Sequence, residues 1–269
     1  LPVIRLLWSI FVEVNTQSTI KNRENLAVGF PSGPNGALKD VASELNPEDQ
    51  ISFASELIRK SIHLASLTIP IIYYYVNRET ALAFLLPMAL VSIGIDVGRY
   101  HVQAIKHLVE RMFNKILRPH ERRAGLLSGA TYVLISALIC VTVFPKLITV
   151  TAFSILILSD SSSALFGRAF GKHRFFDKSR EGTFAFIVTA WIVVMITPKA
   201  GPLAIEYVIG GVAAIVGGLA EAASVSLHLD DNFSVPVSIG LTMWGLYWLL
   251  SILDPASYGA LYQALLHFS

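Results

Sequence analysis

The sequence predicts an all-α protein: a polytopic transmembrane helix bundle of about seven spans, with a short interfacial or truncated N-terminal helix and a cytoplasmic amphipathic helix. Three observations predict it. Of 269 residues, 54% are apolar and only 15% charged, against roughly 25% charged in ordinary soluble domains. The mean hydropathy is +0.59. The apolar residues also lie in continuous runs, whereas the strands of a membrane barrel alternate.

About 30 Å of hydrocarbon crossed at 1.5 Å per residue requires roughly 17 to 25 helical residues. Runs of or near that length place spans at Ser61–Asn77, Thr80–Val97, Leu127–Phe144, Leu147–Leu165, Thr183–Thr197, Leu203–Ala223 and Val235–Leu253. Ahead of them, Leu1–Val14 is apolar with Arg5 and Glu13 near its ends and reads as the interfacial or truncated helix. Residues 15–50 shift to Asn, Ser, Pro and Gly, a composition that favours turns. Residues 1–50 are thus a short helix and flexible polar linker, and residues 51–269 the transmembrane domain.

Between the second and third spans, Val102, Ile105, Leu108, Val109, Met112, Ile116 and Leu117 recur at helical spacing, while Lys106, Arg111, Lys115 and Arg118 fill other faces. That pattern predicts an amphipathic helix on the membrane surface over 100–123. It either attracts anionic groups or simply connects two spans.

The span order places Arg59, Lys60, Arg99, Lys106, Arg111, Lys115, Arg118, Arg122, Arg123, Arg168, Lys172, Arg174, Lys178 and Arg180 on one side of the bilayer. Only Arg78, Lys146 and Lys199 fall on the other. Cytoplasmic loops carry the excess of Lys and Arg, so the first side is assigned to the cytoplasm. The single cysteine, Cys140, falls inside a span, which excludes an intrachain disulfide and a thiolate metal site.

Ionisable groups within or at the ends of spans are costly and mark functional candidates. Four clusters qualify, all on the basic side. In the first, Arg59, Lys60 and His63 share one helical face and could grip phosphate, or else anchor the span. In the second, Asp96 stands where the chain leaves the bilayer beside Gly94, Gly98 and Arg99, with a simple pairing to Arg99 as the alternative.

The third cluster runs from Asp160 to Gly182. Asp160, Ala164, Gly167 and Gly171 form one helical stripe with an acid at its deeper end and no bulk beyond it. Glycines with Arg168, Lys172, Arg174, Lys178 and Arg180 suit a polyphosphate, whose oxygens meet free amides and cationic donors. Small-residue helix packing followed by a basic loop is the alternative. In the fourth cluster, Glu221 is followed by Asp230, Asp231 and Asn232, hard oxygen ligands suited to Mg²⁺ or, alternatively, a helix cap.

These blocks, in this order, resemble the CTP-dependent lipid kinases that include dolichol kinase, phytol kinase and the fungal type of diacylglycerol kinase. The resemblance covers Glu56-Leu-Ile-Arg-Lys-Ser-Ile-His63, Arg118 through Tyr132, Asp160 through Gly171 with Lys178-Ser-Arg-Glu-Gly182, and Glu221 with Asp230-Asp-Asn232. It departs at Ser161 to Ser163, where relatives often carry Thr and Ala, and at Arg180.

The resemblance implies an enzyme, a phosphotransferase that moves the terminal phosphoryl group of CTP to the hydroxyl of a membrane lipid alcohol. An isoprenoid alcohol such as phytol, a polyprenol or dolichol is preferred over diacylglycerol. Asp160, Glu181 and Asp231 would carry the chemical step. Gly167, Arg168, Gly171, Lys172, Lys178, Ser179, Arg180 and Gly182 would bind nucleotide, flanked by Arg59, Lys60 and His63. A divalent metal, Mg²⁺ ahead of Ca²⁺ or Mn²⁺, would be held among Asp160, Glu181, Glu221, Asp230, Asp231 and Asn232. The partners are CTP, the lipid alcohol and the bilayer, with no nucleic acid; a homo-oligomer is compatible with the pattern. A phosphatidate cytidylyltransferase, a transporter and a structural membrane protein are the competing functions.

Overall fold

The computed structural model describes residues 53–113, 127–176, 178–201 and 204–268. The expected N-terminal helix and linker lie outside the described residues, as does the amphipathic pattern beyond residue 113. In chain order the elements are α1 (Phe53–Ala65), α2 (Thr68–Tyr75), α3 (Arg78–His101), α4 (Gln103–Phe113), α5 (Gly129–Val143), α6 (Lys146–Phe170), β1 (Arg174–Phe175), β2 (Lys178–Ser179), α7 (Arg180–Ile196), α8 (Ile205–Ala223), α9 (Asp231–Leu253) and α10 (Pro255–His267).

The all-α expectation holds, with a two-residue antiparallel hairpin added, Arg174 opposite Ser179 and Phe175 opposite Lys178. Among the described residues, four helices are long and apolar enough to cross a membrane: α3, α6, α8 and α9. The other three expected spans form helices shorter than these four. The run Ser61–Asn77 is divided between α1 and α2, because Pro70 lacks an N–H and its ring crowds the carbonyl four residues back. There the chain turns tightly, with Ser66 N and Leu67 N donating to the carbonyls of His63 and Leu64, each at 3.0 Å. The helix α5 has 15 residues and α7 has 17. The apolar helix α10 was not expected.

Contacts divide the described residues into two compact units, 53–59 with 93–113 and 127–128, and 60–92 with the described residues from 129 onward. Within the first, α3 turns into α4 at residue 102, where Val102 N donates to Gly98 O at 2.8 Å. Asp96 accepts from Ser128 N at 2.7 Å and lies 3.5 Å from Arg99 Nη2.

Within the second unit α6 is the buried centre, with α2, α5, α7 and α9 packed on it. Glycine lets α8 come close to its neighbours: a Cβ at Gly210 would stand 2.4 Å from Val194 Cγ1, and one at Gly217 2.7 Å from Ile239 Cδ1. The helix α9 begins four residues before the expected span, capped by Asp230, and carries Pro236 in its second turn. Pro236 cannot donate to Asn232 O, and Ser136 Oγ of α5 makes that bond instead, at 2.8 Å.

The three minority cations sit near the helix ends opposite Asp160. Arg78 Nη2 donates to Phe144 O beyond α5, at 2.8 Å, and Lys199 Nζ donates to Val194 O and Thr197 O at the end of α7, at 2.5 and 2.6 Å. Positive charge at helix C-termini offsets unpaired carbonyls. Lys146 lies over the Tyr73 ring, 5.7 Å from its centroid.

Candidate functional site

The second unit gathers charged side chains from five elements. Asp160 projects from α6 and Glu221 from the last turn of α8. Asp231 opens α9, Lys178 lies on β2, and Lys60 and His63 come from α1. Asp160 Oδ2 is 2.5 Å from Lys60 Nζ and 3.5 Å from His63 Nε2. Lys60 also donates to the Asp160 carbonyl at 3.2 Å, so one ammonium ties α1 to α6 twice.

Lys178 Nζ stands 2.8 Å from Glu221 Oε1 and 3.4 Å from Asp231 Oδ2. Ser163 Oγ donates to the same Glu221 oxygen at 3.0 Å. Glu221 is wholly buried, and its second oxygen, Oε2, has no hydrogen-bond partner. Burial pulls the Lys178 ammonium toward its neutral form, but Asp231, then Glu221 and Asp160, outweigh this and raise its pKa above the ordinary value. The charged form of Lys178 is thus favoured between Glu221 and Asp231, with Asp160 acting from farther away.

The glycine stripe serves the chain itself. A Cβ at Gly167 would lie 3.0 Å from Ser179 Oγ; at Gly171 it would lie 2.2 Å from Gly167 O and 2.8 Å from Ser179 Oγ. At Gly182 it would lie 3.0 Å from both Ser163 O and Ser179 Oγ. The close approach read from these glycines is made by Ser179 and α7. Ser179 is the N-cap of α7, accepting from Gly182 N at 3.1 Å. The packing holds β2, and with it Lys178, against the end of α6.

Other expected site residues point elsewhere. Glu181 pairs with His173, Oε1 to Nδ1 at 2.9 Å. That contact, with backbone amides, brings the Glu181 pKa from 4.5 down to about 2. Asp230 is an N-cap, accepting from Asn232 N at 3.0 Å and Asn232 Nδ2 at 2.8 Å. Arg168, Lys172 and Arg180 are exposed. Arg59 and Asp96 belong to the first unit, where Asp96 makes the Arg99 pairing weighed from the sequence.

Among the described residues, no group of three or more His, Cys, Asp or Glu is assembled to hold a metal ion. Of the metal set expected from the sequence, Glu221 and Asp231 share Lys178, Asp160 pairs with Lys60, Glu181 pairs with His173, and Asp230 caps α9, so the set is divided among several partners. Ser163 and Ser136 were missed as positioning residues. Their signal was a hydroxyl run beside Asp160 and a proline in need of a substitute donor.

Fold and site together define a helical protein with four helices long and apolar enough to cross a membrane and a buried cluster of ammonium and carboxylate groups. The chain is similar to an uncharacterized protein of Rickettsia prowazekii (strain Madrid E), 29% identical over 191 residues, which are 71% of this chain and 94% of that protein. No family model and no solved structure matches it.

Proposed function

We propose that this chain is a CTP-dependent kinase that phosphorylates the hydroxyl of a membrane lipid alcohol. An isoprenoid alcohol is the preferred acceptor and diacylglycerol the next. The observation that carries the reading is the convergence of Lys60, His63, Asp160, Lys178, Glu221 and Asp231, distant in sequence, into one cluster at the helix ends. The order of sequence blocks shared with the CTP-dependent lipid kinases supports it. In this reading the chain is multi-pass, the shorter helices complete about seven spans, and the cluster lies on the cytoplasmic side.

In the reaction the lipid hydroxyl oxygen forms a bond to the terminal phosphorus, the bond from phosphorus to the CDP oxygen breaks, and the hydroxyl proton passes to a carboxylate. Such transfer depends on in-line positioning and on compensation of spread negative charge. Lys178 supplies charge to the phosphates, while Lys60 and His63 hold Asp160 in place. Asp160 and Asp231 orient the nucleophile or take its proton. Glu221 Oε2, buried and without a partner, and Asp231 are the oxygens that would hold Mg²⁺. When bound, that ion would supply positive charge against the negative charge that develops during phosphoryl transfer.

The test is purified protein with labelled nucleotides and a panel of lipid alcohols, followed by chromatography of lipid and nucleotide products. Phosphorylated alcohol with CDP is expected. Pyrophosphate with a CDP-lipid would assign a cytidylyltransferase instead, and no turnover with any nucleotide would leave a transporter or structural protein.

A further inference from the structure

We propose, building on the phosphoryl-transfer reading above, that Lys178 is a resident counter-ion in the seat of a hard divalent cation formed by Glu221 and Asp231. It leaves that seat when a polyphosphate draws its ammonium away.

Two carboxylates on different helices converge on the point where the ammonium sits, 2.8 Å from Glu221 Oε1 and 3.4 Å from Asp231 Oδ2. The seat is incompletely satisfied by lysine, since Glu221 Oε2 is buried with no hydrogen-bond partner. A buried carboxylate oxygen without a donor is destabilising, and a hydrated cation would relieve it.

The partners also differ in access: the Lys178 side chain is 29% exposed, against 1% for Glu221 and 7% for Asp231, so the lysine is the one free to move to water. Mg²⁺ is commonly held by one or two carboxylates, with water and substrate phosphates completing the shell. A seat of this kind needs no third protein carboxylate, which agrees with the divided metal set.

The consequence is coupling. Metal and polyphosphate bind weakly alone and strengthen each other, because each removes what blocks the other.

The experiment measures Mn²⁺ binding by electron paramagnetic resonance, using the full chain in phosphatidylcholine nanodiscs without nucleotide or lipid alcohol. Lys178→Met is expected to bind Mn²⁺ on the order of tenfold more tightly than wild type, and adding Glu221→Gln to remove the gain. Equal affinity in wild type and Lys178→Met, or a gain that survives the second substitution, would overturn the proposal. If Lys178→Met does not fold, wild type carries the test: saturating Mn²⁺ should speed acylation of Lys178 several-fold, read by peptide mass spectrometry, and an unchanged rate overturns it. Neither arm uses CTP or acceptor lipid, so a failure here is distinct from a failure of the kinase reading.

Discussion

Glu206 and Glu221 lie on the same helix, fifteen positions apart and about 22 Å along its axis, and both are fully buried. They are neutralised in opposite ways. Glu206 accepts from Ala200 N, Gly201 N and Tyr247 Oη, each at 2.8 Å, so both of its oxygens have donors. It ties the α7–α8 connection to α9 beside a small cavity lined by Leu147, Thr151 and Met243. Glu221 instead depends on a partly exposed lysine and a serine, and one oxygen has no donor. A carboxylate surrounded by fixed backbone donors is a structural joint. One balanced by a movable side chain can change partner.

The most severe way to break this contrast is Lys178→Ala, which should reduce lipid phosphorylation on the order of 10³-fold or more while the purified protein keeps its helical circular dichroism. Asp160→Ala should act alike, and normal turnover in either variant would remove the proposed site. The counterpart is Glu206→Ala, which leaves two amides and a phenol without their acceptor. It should lower resistance to detergent denaturation by about 2 to 4 kcal/mol, yet leave turnover per folded molecule nearly unchanged. Selective loss of turnover there would erase the distinction.

Between these falls Gly171→Ala. Its new methyl would meet Gly167 O and Ser179 Oγ, so β2 must shift, at a cost of about 1 to 3 kcal/mol. Activity should fall with stability, because β2 carries Lys178. Ser136→Ala should cost about 1 kcal/mol by leaving Asn232 O unpaired beside Asp231, with a small loss of turnover.

The smallest effect belongs to Glu181. Its pKa is lowered from 4.5 to about 2. A lowered carboxylate pKa contributes stability that is present above 4.5 and lost as pH falls through about 2. A carbon-13 titration of this carboxyl should show the low midpoint, and His173→Ala should move it upward. Glu181→Gln should leave turnover near neutral pH nearly intact, a result that separates it from Asp160.

Much of the fold was legible because lipid as solvent demands long apolar helices, and α3, α6, α8 and α9 follow directly from that demand. The division at Pro70 and the early start of α9 were harder to read, since each depends on where a proline's missing bond is replaced. At the site, Asp160, Lys178, Glu221 and Asp231 could be picked out as costly charges in apolar surroundings. Glu181, Asp230 and the glycines carried the same signal but serve a histidine pair, a helix cap and a close helix contact.

The sequence alone determined the all-helical class, the bias of positive charge and the identity of the residues too costly to be incidental, because composition and periodicity are local properties. Only the tertiary structure decided which acids share a lysine and which oxygen lacks a donor. Those outcomes depend on distances of 2.5 to 3.5 Å between residues as far apart as Lys60 and Asp160, and no spacing along the chain encodes them.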